Sequence, residues 1–186
     1  MNNIETFFYF KISNIDVVVF NSDTDNTILN KKIELEKNYD DIEILINELN
    51  KKLKELIIEV EIEINQQLNK IILIIDDPFT LQINACIKKN FDKSVISKEQ
   101  IEYLIQDLNH QILKESDNIK INHIIVNEFL LDGQKILYPP INKKCEDLVL
   151  EVQFICFQKK FITSLENLFK NHQIEFSYVL CANYTK

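Results

Sequence analysis

Few side chains in this 186-residue chain have the type and spacing that chemistry needs. Asp76 and Asp77 stand together at the end of an apolar run, residues 71–75, just ahead of Pro78. Carboxylates at the C-terminal end of a buried strand are where open α/β sheets often hold ligands. No histidine or second carboxylate pair can be placed beside them from the sequence. The simpler reading is therefore a solvated turn before the proline, and a metal site is unsupported. His110, His123 and His172 are widely spaced and form no ligand-type cluster. His123 precedes an apolar strand, and His172 follows a helical stretch whose dipole favours a partly charged imidazole. Structural or surface roles are expected for all three. Cys86, Cys145, Cys156 and Cys181 show no C-x-x-C spacing. Cys86 and Cys156 lie in apolar, strand-like runs, where cysteine packs as a small hydrophobe. Reduced structural thiols are expected, which suits a cytosolic compartment. No catalytic residue, no cofactor-binding residue and no metal ligand is assigned, and the chain reads as a non-enzyme without a cofactor.

Composition narrows the partners. The formal net charge is −8 and the sequence contains no arginine. Arginine is the residue of choice for bidentate phosphate and guanine contacts. The lysines are scattered, with at most two adjacent, so nucleic acid is a poor partner for this chain. Gly133 is the single glycine. Phosphate-cradling loops need several, because the backbone must approach the phosphates closely, so neither a P-loop nor a dinucleotide fingerprint can be built. The polar, acidic start of the chain is no signal peptide. No apolar run approaches the roughly 20 residues of a membrane helix, and no direct membrane insertion is expected.

The remaining candidate is a contact loop, Asp132-Gly133-Gln134. It reads as a tight turn in which Gly133 supplies a positive φ. A loop held on a rigid scaffold can also carry binding, so the same three residues are the candidate protein-interaction site. Glu59, Glu61 and Glu63 read as a solvated face.

The elements that must position these residues follow from periodicity. Residues 6–12 and 15–20 read as strands joined by a Ser13-Asn14 turn, with a polar loop at 21–26 and a third strand at 28–35. Asp40 or Asp41 caps a long helix. Its apolar stripe is spaced by three and four residues from Ile42 through Leu45, Leu49, Leu53, Leu56 and Val60 to Ile64. Ile58 and Ile62 fall off that stripe, which suggests fuller coverage of the far end. Residues 57–64 also alternate with glutamate, as a strand would, but the unbroken stripe favours helix. Residues 71–75 read as a central buried strand, and 80–87 as another strand. Ser97-Lys98-Glu99-Gln100 is a capping box that opens a helix with Ile101, Leu104, Ile105, Leu108 and Ile112 on one face. An apolar strand at 121–131, the Asp132 turn, a loop with Pro139 and Pro140, and an alternating strand at 148–157 come next. A helix at 161–170 and a strand at 174–180 close the order. A junction is expected between residues 91 and 97.

The order around residues 121–157 resembles the small inserted subdomain of FtsA, the actin-like division protein of bacteria. That family carries a strand reading roughly His-Val-Ile-Pro-Gln-x-Tyr-x-Val-Asp-Gly-Gln. Matching positions here are His123, Ile124, Ile125, Asn127, Phe129, Leu131, Asp132, Gly133 and Gln134. The resemblance extends in the same order over most of the chain. Residues 71–77 stand at the family's strand ending in Gly-Ile-Ser-Gly, and Ser97 at its acidic helix start. It implies an α+β fold of small mixed sheets packed with helices. A truncated actin-like part, residues 1–92, would precede a strand-helix-strand-strand interaction subdomain with a return strand, residues 93–186. The family's first phosphate loop, Asp-x-Gly-[Thr/Ser]-x-Lys, aligns with residues 11–16. There the aspartate has become Lys11, the glycine Ser13 and the lysine Asp16. The chain ends where the second actin-like half would begin. Loss of ATP binding, and of that family's C-terminal membrane anchor, is implied. So is a cytoplasmic adaptor or scaffold of cell division, brought to the division site by FtsZ, FtsA-like subunits or septal membrane proteins. Surface recognition would be its mechanism, with edge-strand addition as one mode. The alternatives are an adaptor of a pilus or secretion apparatus and a degenerate actin-like ATPase remnant.

Overall fold

The computed structural model describes residues 3–11, 13–35, 42–76 and 80–184. In chain order the elements are β1 (Ile4–Phe10), β2 (Asn14–Asn21), β3 (Asn26–Glu34), α1 (Ile42–Ile64), β4 (Lys70–Ile75), β5 (Thr80–Asn90), α2 (Lys98–Glu115), β6 (Ile119–Leu131), β7 (Gln134–Ile136), β8 (Asp147–Gln158), α3 (Lys159–Lys170) and β9 (Glu175–Cys181). The chain folds as two compact units. One is Met1–Thr80 with Gln158–Lys186, and the other is Leu81–Phe157. The expected division at 92/93 is therefore displaced at both ends. β5 hydrogen-bonds into the second sheet, while β9 completes the first.

The first unit is a five-stranded mixed sheet in the order β3-β2-β1-β4-β9. β1, β2 and β3 form an antiparallel meander. β4 runs parallel to both β1 and β9, in the centre of the parallel half. Alternation assigns one face to the core. Phe8, Phe10, Val17, Leu73 and Ile75 are almost wholly buried, and Phe8 meets Phe169 of α3 edge-on with centroids 5.2 Å apart. Phe8, Phe10 and Ile15 share a lining with Leu49, Leu53 and Leu56 of α1, so both helices cover this face. Each such side chain contributes about 1.5–3 kcal/mol by leaving water. α1 is one continuous helix through residues 57–64, where alternation with glutamate also fitted a strand. Its off-stripe isoleucines are not covered as expected: Ile58 is 48% exposed and Ile62 71%. The cap expected at Asp40 or Asp41 lies outside the described residues.

The second unit is a four-stranded sheet in the order β5-β8-β6-β7, with α2 packed on one face. Ile101, Leu104 and Leu108 of α2 join Leu148, Leu150, Val152, Phe154 and Cys156 of β8 in one core. Gln153 bonds Gln82 and Asn84, while Asp147 bonds Asn90 and pairs with Lys88. Contacts that rise along β5 as they fall along β8 make the two antiparallel. The unit therefore begins at Leu81 and ends at Phe157 on adjacent strand ends. That geometry lets a whole unit interrupt the chain between β4 and α3.

With one glycine available, left-handed backbone falls to other residues. Among the described residues, seven non-glycine positions have positive φ, and five of them are Asp or Asn. These short polar side chains tolerate the αL region best after glycine. Asn65, at φ 51°, ends α1 in the position usually taken by a C-cap glycine.

Candidate functional site

Two regions can be tested for function: the β1–β2 hairpin head, where the resemblance puts a phosphate loop, and the loops that follow β6.

The hairpin head is closed on itself. Lys11 donates its backbone N–H to the Asn14 carbonyl at 2.9 Å, and Leu35 donates to the Ser13 carbonyl at 2.9 Å. The Lys11 ammonium pairs with the Asp16 carboxylate, and Asn14 Nδ2 donates to Asp16 Oδ1 at 2.6 Å. Asp16 is thus no unopposed reversed charge: the two altered positions neutralise each other. Lys11 Nζ also sits 4.4 Å from the centroid of the Tyr9 ring. The Tyr9 hydroxyl donates to Asp76 Oδ2 at 3.1 Å. Burial, and then this bond to a carboxylate, push the Tyr9 phenol above its usual value. Ile12, Asp77 and Pro78 lie outside the described residues, so the Asp76-Asp77 pair is tested only at Asp76. There the carboxylate accepts a hydrogen bond from the Tyr9 hydroxyl just beyond β4. Among the described residues, no group of three His, Cys, Asp or Glu side chains is placed to hold a metal.

The histidines are not brought together. His110 is exposed on α2 and His172 follows α3. His123 is half-buried in β6, its Nε2 2.8 Å from Asn122 Nδ2, and burial holds its pKa below the usual imidazole value. No disulfide joins the cysteines among the described residues. Cys145 and Cys156 are buried, and burial pushes both thiols up, away from reactivity. Cys86 corrects the expectation of packing. It is exposed, because its position in β5 points away from the partly buried Ile83, Ala85 and Ile87.

The turn Asp132-Gly133-Gln134 is as tight as its sequence requires. β6 and β7 pair up to Leu131 and Gln134, leaving a two-residue loop. Asp132 has φ 50° and Gly133 φ 80°, the signs of a type I′ hairpin. Asp132 is also a brace. Its Oδ1 accepts the backbone N–H of Glu146 at 2.9 Å and of Asp147 at 2.8 Å. That carboxylate oxygen is committed within the molecule, while Gly133 and Gln134 are exposed.

The next loop was not singled out from the sequence. Leu137 is 75% exposed, Tyr138 57% and Ile141 39%, and neighbouring Val95 is 46% exposed. The loop is firmly held. Val95 bridges Lys144, Ile96 donates to the Lys143 carbonyl at 2.8 Å, and Asn142 donates to the Ile96 carbonyl at 2.9 Å. Lys143 Nζ lies 4.8 Å from the Tyr138 centroid and 3.1 Å from its hydroxyl. The signal was available: apolar residues beside Pro139-Pro140, outside any strand alternation, with a lysine pair close behind.

No family model matches this sequence, and no curated protein matches it either. Solved structures do. A chain of the PilM–PilN type IV pilus biogenesis complex superposes with a TM-score of 0.57 at 6% identity, over 97% of this chain and 48% of that one. The cytoplasmic domain of EpsL, an inner-membrane component of the type II secretion system of Vibrio cholerae, gives 0.47 at 10% identity, over 96% and 57%. A Bacteroides thetaiotaomicron protein of actin-like ATPase fold and unknown function gives 0.38 at 15% identity, over 96% and 52%. This chain spans about half the length of each. The last two are too distant to argue from, and the first shows a shared fold. With the strand order above, the fold is α+β, small mixed sheets packed with helices, as expected, and it is shared with that pilus-complex chain. Among the described residues, no helix is long and apolar enough to cross a membrane.

Proposed function

We propose that this chain is a non-enzymatic interaction module, an adaptor within a pilus or secretion type of assembly. The observation that carries the non-enzymatic part is the hairpin head. Where a phosphate loop would present free backbone donors and an unpaired lysine, the aligned position holds Asp16, paired with a Lys11 that is itself held over Tyr9. The sole glycine lies in the other unit, at Gly133. The fold it shares with a component of a pilus biogenesis complex supports the choice of assembly over cell division. FtsZ and septal partners have no comparable support.

Two experiments test the reading. Calorimetric titration with ATP and magnesium is expected to show no heat of binding, and micromolar affinity overturns the non-enzymatic assignment. Crosslinking and affinity purification from the native cells, read by mass spectrometry, is expected to recover pilus or secretion components. Recovery of FtsZ or septal proteins returns the chain to cell division.

A further inference from the structure

We infer that the loop following β7 is a docking surface for an acidic, apolar segment of a partner protein. The inference rests on the adaptor reading and names the surface and chemistry that reading requires. Val95, Leu137, Tyr138 and Ile141 are all more than a third exposed and sit on two chain segments tied together by backbone hydrogen bonds. Exposed apolar side chains on a rigid loop lose little conformational entropy on binding, and tyrosine is among the residues most enriched at binding hot spots. Contiguous exposed apolar patches, more than single exposed side chains, mark interaction sites.

The charge around the loop chooses the partner. Between Asp132 and Glu146 the chain carries Lys135, Lys143 and Lys144 and no carboxylate. Lys135 is paired with Glu128. Lys143 is held against Tyr138, and Lys144 has no carboxylate in ion-pair range among the described residues. The carboxylates that flank the loop are engaged, Asp132 by two backbone N–H groups, Glu146 by Lys93 and Asp147 by Lys88, so a chain of net charge −8 presents Lys143 and Lys144 as a local cationic rim beside apolar side chains. At physiological ionic strength charges are screened over about 8 Å, so the rim and not the net charge governs a docked segment. Complementarity calls for carboxylates opposite Lys143 and Lys144, and for apolar side chains against Tyr138 and Ile141. A second copy of this chain, which would bring its own lysine rim to the contact, fits less well.

The test uses the full chain and two fluorescent amphipathic helical peptides with leucine on one face. One carries glutamate on the other face, and its partner carries lysine. The glutamate peptide is expected to bind at least about 10-fold more tightly, and to weaken as salt rises. A Lys143→Glu/Lys144→Glu double variant and a Tyr138→Ser variant should each lose about 10-fold in affinity for it. Both substitutions are on an exposed loop, and an unchanged thermal melt confirms that they fold. Equal affinity for the two peptides, or unaltered binding by the variants, overturns the proposal. Affinity purification with the wild type and the double variant separates it from the adaptor reading. Equal recovery of one specific partner by both proteins sinks the docking surface and leaves the adaptor. No specific recovery by the wild type sinks the adaptor itself.

Discussion

The two sheets differ on the faces turned away from their helices. In the second unit that face is polar from Asp147 to Gln153, where Gln153 bonds Gln82 and Asn84 and Lys88 pairs with Asp147, and turns apolar only at the end of β8, where Ile155 and Phe157 are buried. In the first unit it is apolar. Phe7 is paired with Val18 on one side and Ile72 on the other, and Ile72 with Tyr178 beyond it. The difference follows strand direction. Antiparallel pairs such as β5 and β8 commonly leave one face wet, and their sequences alternate. β4 lies between two parallel neighbours and reads as an unbroken run of aliphatic residues, the pattern of a strand built for cover on both faces.

The sharpest way to break this comparison is within β4. Leu73 is wholly buried on the helix-covered face, and its neighbour Ile72 is half-buried on the other. Leu73→Ala should cost about 2–5 kcal/mol in urea denaturation, and Ile72→Ala about half as much. Equal costs would mean that the outer face is as tightly packed as the inner one. Next in size is the brace of the second unit. Asp132→Ala strips an acceptor from two backbone N–H groups and should cost about 1–3 kcal/mol by the same measurement. Asp132→Asn keeps an acceptor oxygen and should cost less. Ser97→Ala follows at about 1 kcal/mol. Ser97 accepts from Gln100 N at 3.3 Å, and the Gln100 side chain accepts from Ser97 N at 2.8 Å.

That capping box was legible because its signal is local: two residue types at a fixed spacing. So were α1, the order of strands and the Gly133 turn, each written in a period or a single permissive residue. The unit boundary was not. Whether β5 joins the sheet before it or after it depends on pairing with β8, some sixty residues further on, and no local pattern records that partner. Cys86 was misread for a related reason. An apolar run looks buried on both faces until the sheet gives it an edge position and one wet side. The paired charges at Lys11 and Asp16 were visible as residues but not as partners. The exposed loop at Leu137–Ile141 was passed over because a loop has no period to read.

The smallest expected effects set the two regions against each other by pH. In the first unit, the Tyr9 phenol is held above its unfolded value by burial and by its bond to Asp76. Above the unfolded pKa of about 10, the folded state keeps a proton that the unfolded state has released, so stability falls as pH rises from there. In the second unit, burial holds His123 below its unfolded value. Below about 6.5 the unfolded state takes up a proton that the folded state resists, so stability falls as pH drops. Tyr9→Phe should flatten the alkaline limb of a plot of denaturation midpoint against pH and leave the acid limb alone. His123→Gln should do the reverse. If His123→Gln leaves the acid limb unchanged, carboxylates alone set it, and the half-buried imidazole of β6 has the same protonation in both states.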